Sequence, residues 1–386
     1  MEKNIVIYDV TLREGEQVAG LFFTPKQKKY IASKLISAGI KNLEIGIIGN
    51  DEDEKVYFDL CRKFEAQTIE LAMTLLPFEK VLSKAVDSPF LHLNIAFPST
   101  QSFSKYCFLK EQKMIIKRLE KLIPILISKN KKLRLVLVDA SRQDLNNILN
   151  QIKFFKNLGI SSIFISDSIG IYTPQKVIQV TNEILNKFPT LELGVHFHND
   201  FGLAVANSII AAQHGASLIQ VSINGLGERA GIPSTLEVLF SLKFLCGFKM
   251  EINLKKIYEL SKRIQKDTGL INSLTYPIIG KSIFWSETAA HLFAILMGHP
   301  EVVYPFPPEI VGEKLKIVLG KHTSKHLLEL LEENLGCKLK YKSLEQIKTT
   351  AFSKRTKFLK QIRKTINDYM KYYEKSLLIV NKIKNE

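Results

Sequence analysis

Cysteine is scarce. The four in 386 residues, Cys61, Cys107, Cys246 and Cys337, lie far apart and form no C-x-x-C pair. That excludes a disulfide framework and a cysteine-built zinc site, and it fits a reducing compartment. No apolar run approaches the roughly 20 residues needed to cross a bilayer. The N-terminus, MEKNIVIYDV, enters a strand-like run without the pattern of a signal peptide. A cytoplasmic location with no membrane partner is expected. No G-x-G-x-x-G follows the first strand-like run, so a dinucleotide-binding open sheet lacks its phosphate turn. Acidic residues are in deficit, 38 against 54 lysines and arginines, for a net charge of +16. The excess is mostly lysine, spread over helical surfaces and concentrated after residue 340. Aromatic side chains do not interleave with it as nucleic-acid stacking platforms would. A compositional lysine bias accounts for the charge, and no nucleic-acid partner is expected. The charge can still assist the attraction of anionic substrates.

What is present is ample apolar material, 46% of residues, enough for one large core and something smaller. Short β-branched runs recur at 4–10, 42–47, 69–74, 92–97, 133–140, 162–168, 191–197 and 218–225. Amphipathic stretches separate them. One is 24–39, with Thr24 as N-cap, Pro25 in the first turn and Gly39 as the stop. Eight strands alternating with helices predict an α/β fold, a (β/α)8 TIM barrel over residues 1–250. After 250 the pattern changes, and 251–386 reads as a smaller, mostly helical C-terminal subdomain. Its stretch 369–380 is apolar enough to form an interface.

In such a barrel the chemistry sits at the C-terminal ends of the strands. Three polar clusters fall there: DVTLREGEQ (9–17), HFHND (196–200) and NGLGERAG (224–231). Strand periodicity puts His196 and His198 on one face and Phe197 on the other. Closure makes the first, seventh and eighth strands neighbours, so a carboxylate from the first can join the two imidazoles. Glu14, His196 and His198 are the expected ligands of a divalent metal (Zn, Mn, Mg, Co or Fe). They would leave positions open for substrate oxygens. Arg13 stays charged and can hold a developing enolate or alkoxide oxygen.

Together these motifs resemble the acyl-CoA-dependent synthases that include homocitrate, 2-isopropylmalate and citramalate synthases. The resemblance extends into YPIIGKSIFWSETAAHLFAI and PFPPEIVGEKLKIVLGKHTS. It implies a homodimer whose substrates are acetyl-CoA and a 2-oxo acid, joined by metal-assisted condensation and thioester hydrolysis. It also implies that Arg13 is catalytic and that His291 and Tyr304 handle protons, although a lone histidine on an apolar helix is more often core. Arg134 is expected to meet a distal carboxylate, or else to be a strand-edge surface residue, with Gln17 and Ser168 as further substrate contacts. Glu14, where isopropylmalate synthases usually have Asp, and the chain length point to 2-oxoglutarate and homocitrate. A short isopropylmalate or citramalate synthase is the alternative, and a catalytically retired paralogue is another. A lyase fits less well, because the loop after the eighth strand has no cysteine. The chain departs from the family pattern at Val138, Gly194, Ile232 and Ser286, which puts the substrate in doubt more than the reaction.

Overall fold

A computed structural model of the chain describes residues 5–64, 68–318 and isolated positions between 326 and 333. Two compact units divide the chain, Met1–Ile283 and Phe284–Glu386. Residue 250, where the sequence changes character, falls inside the first.

In the first unit eight parallel strands close into a barrel in chain order: β1 (Val6–Asp9), β2 (Asn42–Ile47), β3 (Glu70–Leu75), β4 (His92–Pro98), β5 (Lys132–Val138), β6 (Ser162–Asp167), β7 (Glu192–Phe197) and β8 (Leu218–Val221). Pairing of Tyr8 with Gln220 and Asp9 with Val221 shuts the ring. The expected TIM barrel is therefore the fold observed. The helices around it are α1 (Pro25–Ser37), α2 (Asp51–Lys63), α3 (Glu79–Asp87), α4 (Gln101–Tyr106), α5 (Gln112–Ser128), α6 (Leu145–Asn157), α7 (Pro174–Lys187), α8 (Ala204–Gln213), α9 (Thr235–Phe240) and α10 (Leu254–Thr268).

Local chemistry accounts for these boundaries. A capping box opens α1: Thr24 Oγ1 accepts from the Gln27 amide, and Gln27 Oε1 accepts from the Thr24 amide at 2.9 Å. Gly39 follows with φ +102, a conformation that glycine adopts without strain. Each strand alternates between two apolar environments, which is why the runs read as almost continuously hydrophobic. Phe97 of β4 faces outward onto Phe155 of α6, with ring centroids 4.9 Å apart. Inward positions Tyr8, Ala72, Phe164 and Leu218, with Val10 and Ile232, form one buried cluster inside the ring. The run 218–225 is strand only as far as Val221. Ile223–Gly225 is a 3-10 turn in which Asn224 takes φ 60, incompatible with a strand.

Among the described residues the second unit contains α11 (Ala289–Leu296), two short 3-10 turns, and the strands β9 (Trp285–Ser286) and β10 (Lys316–Ile317), which pair in parallel. Leu292 and Leu327 form its small buried cluster. The part of the expected helical subdomain after residue 318, apart from those isolated positions, and the apolar segment 369–380 within it fall outside the described residues. No helix among the described residues is long and apolar enough to cross a membrane.

Candidate active site

Strand geometry delivers the two histidines as their spacing requires. His196 ends up inside the barrel near the C-terminal end of β7, and His198 follows one residue past it, on the same face. Their Nε2 atoms lie 3.2 Å apart. Phe197 turns the other way, towards Tyr172. Glu14 opens a 3-10 turn, Glu14–Gln17, just after β1. Its Oε1 lies 3.9 Å from His198 Nε2. One donor atom from each of Glu14, His196 and His198 falls within 4.8 Å of the others, and all three residues are buried.

This donor set fits a divalent cation. Two imidazole nitrogens 3.2 Å apart with a carboxylate alongside concentrate lone pairs in a buried position. Burial first, then the neighbouring His198, pushes His196 down to about 3, so its ring stays neutral and able to ligate. Burial likewise holds His198 below the usual histidine range. For Glu14, burial works to raise the pKa, but Arg13 and the two histidines outweigh it and hold the carboxyl below its ordinary value. A ligand set of one carboxylate and two histidines leaves coordination positions for substrate, as in catalytic rather than structural sites.

Several groups aim the Glu14 carboxylate. Arg13 Nη1 donates to Oε2. The Gln17 amide, with its nitrogen towards the carboxylate, donates to both oxygens at 3.0 Å. The Glu228 backbone amide donates to Oε1 at 3.3 Å. Gly227 makes that approach feasible, since a Cβ there would stand 3.3 Å from Glu14 Cγ and 3.2 Å from Gly231 Cα. Arg229, with φ 57, forks onto Asp200 at 2.8 and 3.0 Å and donates to the Ser168 carbonyl at 2.6 Å. It thereby ties together the loops after β6, β7 and β8. Ser168 Oγ accepts the Asp139 amide at 2.8 Å and so braces the end of β5.

Glu44 belongs to this site and escaped sequence reasoning. It sits at an inward position of β2, 1% exposed. Its Oε2 accepts from Arg13 Nη2 at 3.1 Å, and its Oε1 accepts from the Thr74 hydroxyl. The available signal was a lone charge inside the apolar run NLEIGI, at the parity that faces the barrel interior.

Arg134 is placed differently from the other candidates. It lies in the N-terminal half of β5. Its guanidinium pairs with Glu70, the first residue of β3, with Nη2 to Oε2 at 2.9 Å. Its Nε lies 3.6 Å from Glu192, the first residue of β7. The guanidinium also stands over the Tyr8 ring at 5.4 Å. Two carboxylates of this chain therefore already face the cation expected to meet a substrate carboxylate. His291 is an exposed residue of α11 and Tyr304 packs near Phe284 at 6.2 Å, both within the second unit.

Two of the family departures have physical reasons. A Cβ on Gly194 would meet the Phe164 ring at 2.3 Å, so Phe164 occupies the space of any larger residue. Ile232 is 2% exposed and joins the apolar cluster inside the barrel.

Fold and donor set define a (β/α)8-barrel protein with a candidate metal centre of catalytic type at the C-terminal mouth. The chain belongs to the HMGL-like family, whose model matches residues 4–264. This family includes the condensing enzymes that the sequence motifs resemble. The probable 2-isopropylmalate synthase of Ignicoccus hospitalis is 30% identical over 338 residues, 87% of this chain and 84% of that protein. The 2-isopropylmalate synthase of Methanocaldococcus jannaschii is 32% identical over 86% of this chain, which spans 64% of that longer protein. The (R)-citramalate synthase of the same organism is 29% identical over 88% of this chain and 69% of its own length. Among solved structures, the HMG-CoA lyase of Bacillus subtilis superposes with a TM-score of 0.63 at 19% identity, covering 72% of this chain and 97% of its own, a likeness of fold.

Proposed function

We propose that this protein condenses acetyl-CoA with a small 2-oxo acid bearing an apolar side chain, as 2-isopropylmalate and citramalate synthases do. The observation that carries the reaction class is the buried Glu14, His196 and His198 set with Arg13 beside it. Glu14, His196 and His198 would hold the divalent cation, which supplies Lewis-acid polarisation of the 2-oxo acid when bound. The reaction deprotonates the acyl methyl and adds the resulting enolate carbon to the ketone. It then hydrolyses the thioester, consuming water and releasing CoA. Arg13 is the residue suited to hold the oxyanion that develops, because its charge cannot be lost and Glu44 fixes its orientation. His291 and Tyr304 are assigned the proton handling, in a homodimer, on the strength of the family resemblance.

Two observations favour an apolar side chain over 2-oxoglutarate. The interior wall is built from Val10, Ala72, Phe164 and Ile232 with Val136 packed against it. The cation at the other end of that wall, Arg134, is engaged by Glu70 and Glu192. The similarities to 2-isopropylmalate and citramalate synthases point the same way. None of these findings backs homocitrate specifically.

A thiol-release assay tests the reading. Acetyl-CoA is offered with 2-oxoisovalerate, pyruvate, 2-oxoglutarate, oxaloacetate and glyoxylate, with Mn²⁺ or Co²⁺ supplied. CoA release with 2-oxoisovalerate or pyruvate well above that with 2-oxoglutarate is expected. Release confined to 2-oxoglutarate would return the assignment to homocitrate. Silence across the panel with metal bound favours a retired paralogue.

A further inference from the structure

We propose that Lys28 is a positioning residue for the metal centre, a single buried ammonium that fixes both flanks of the Arg13–Glu14 pair. The inference rests on the metal reading above. Lys28 belongs to α1, whose other lysines reach solvent to varying extents, yet Lys28 itself is 3% exposed. Its Nζ lies 2.5 Å from Glu16 Oε2, pairs with Asp53 Oδ1, and stands 3.5 Å from the Leu12 carbonyl. Leu12 immediately precedes Arg13, and Glu16 follows Glu14 by two residues. The ammonium therefore grips the chain on either side of the two side chains that matter.

Its other attachments make the grip rigid. Asp53 Oδ2 accepts the Ile47 amide at 3.0 Å at the end of β2, and Asp53 itself sits in the capped first turn of α2. Glu16 Oε1 accepts the Phe23 amide at 2.7 Å, where the loop enters α1. At the entry to the turn Glu14–Gln17 the amides of Arg13, Glu14 and Gly15 converge on the Val10 carbonyl. One cation compensates two carboxylates. Without it, Asp53 is left a buried uncompensated charge beside the half-buried Glu16 carboxylate, a costly arrangement. Asp53 is anchored by the Ile47 amide. The Glu16 side chain is 21% exposed and can relieve the repulsion by turning to solvent, carrying the Glu14 turn with it. Outer groups of this kind change metal affinity without touching the metal.

The test uses the full chain and Co²⁺ alone as the probe, with calorimetric titration for affinity and visible absorption for ligand geometry. Wild type is expected to bind one equivalent. Lys28→Met is expected to weaken Co²⁺ binding about 10- to 100-fold and to alter the absorption bands. Lys28→Arg is expected to restore most of both. A folded Lys28→Met protein with wild-type affinity and spectrum overturns the inference while leaving the metal centre standing. A wild type that binds no Co²⁺ overturns the metal reading and this inference with it. Should Lys28→Met fail to fold, Glu16→Gln carries the test, since it leaves the Lys28–Asp53 pair in place. Unchanged Co²⁺ affinity in that variant overturns the proposal.

Discussion

Glu44 on β2 and Arg13 after β1 are joined at 3.1 Å, with the other arm of the same guanidinium on Glu14. The arginine is thereby locked between two carboxylates rather than left to sample rotamers. Glu44→Gln keeps the shape and removes the charge that orients Arg13. The expected result is a fall in kcat of about 100-fold, the scale seen when an oxyanion-stabilising donor is lost. Co²⁺ affinity should fall far less than kcat, since Glu44 reaches Glu14 only through the Arg13 side chain and leaves the backbone of the Glu14 turn in place. Steady-state kinetics and a metal titration on the same preparation check both halves.

Glu14→Gln exchanges a charged ligand for a neutral one and leaves Arg13 without its nearer counter-ion. Metal retention and turnover should disappear together. Metal content after dialysis, measured beside CoA release, decides it. Full activity in this variant removes Glu14 from the ligand set.

Asp9 gives a dependence of stability on pH. Burial pushes its carboxyl up to about 7, against partial relief from hydrogen bonds with Thr11 and Thr235. An unfolded chain releases that proton near pH 4, so over the interval between about 4 and 7 the native state holds a proton that the unfolded state lacks. Asp9's contribution is therefore fully present below about pH 4 and drains away as pH rises through about 7. At roughly 1.4 kcal/mol per pH unit this amounts to about 4 kcal/mol. Asp9→Asn should remove this component of the slope. Urea unfolding at several pH values, wild type against variant, measures it, and an unchanged slope would rule Asp9 out as its source.

Glu70→Gln deprives Arg134 of its closer partner inside the barrel. The two side chains are 13% and 14% exposed, and stripping one member from a fully buried pair costs about 3–5 kcal/mol. Because Glu192 remains at 3.6 Å, the lower end of that range is expected. Replacing Arg134 by Met in the same chain should recover much of the loss. Denaturant midpoints of the two single variants and the double variant form the cycle that checks it.

Much of this architecture is legible from alternation and punctuation alone. The run at 42–47 is strand from end to end, and Thr24, Pro25 and Gly39 bound α1 as capping chemistry requires. The histidine pair was readable because two residues apart on a strand means one face, a property of the backbone rather than of tertiary context. The roles of Glu44 and Lys28 are not legible in the sequence, even where their inward positions are. Their significance lies in partners 31 and 25 residues away, Arg13 and Asp53, although helical periodicity does put Lys28 on the apolar 28, 31, 32, 35 stripe of α1. Arg134 looked available for a substrate because nothing in its own strand announces that Glu70 and Glu192 converge on it.

The ring is shut by the pairing of β1 with β8, and the three proposed metal-donor residues straddle that junction. Glu14 stands just past one side of it, and the histidines stand one strand beyond the other. A divalent ion seated there would act as a clasp on the seam where the sheet's two ends meet. At a free concentration of about 100 times its dissociation constant it would add about 2.7 kcal/mol of resistance to unfolding. Loading the centre would then strengthen the closure of the barrel itself.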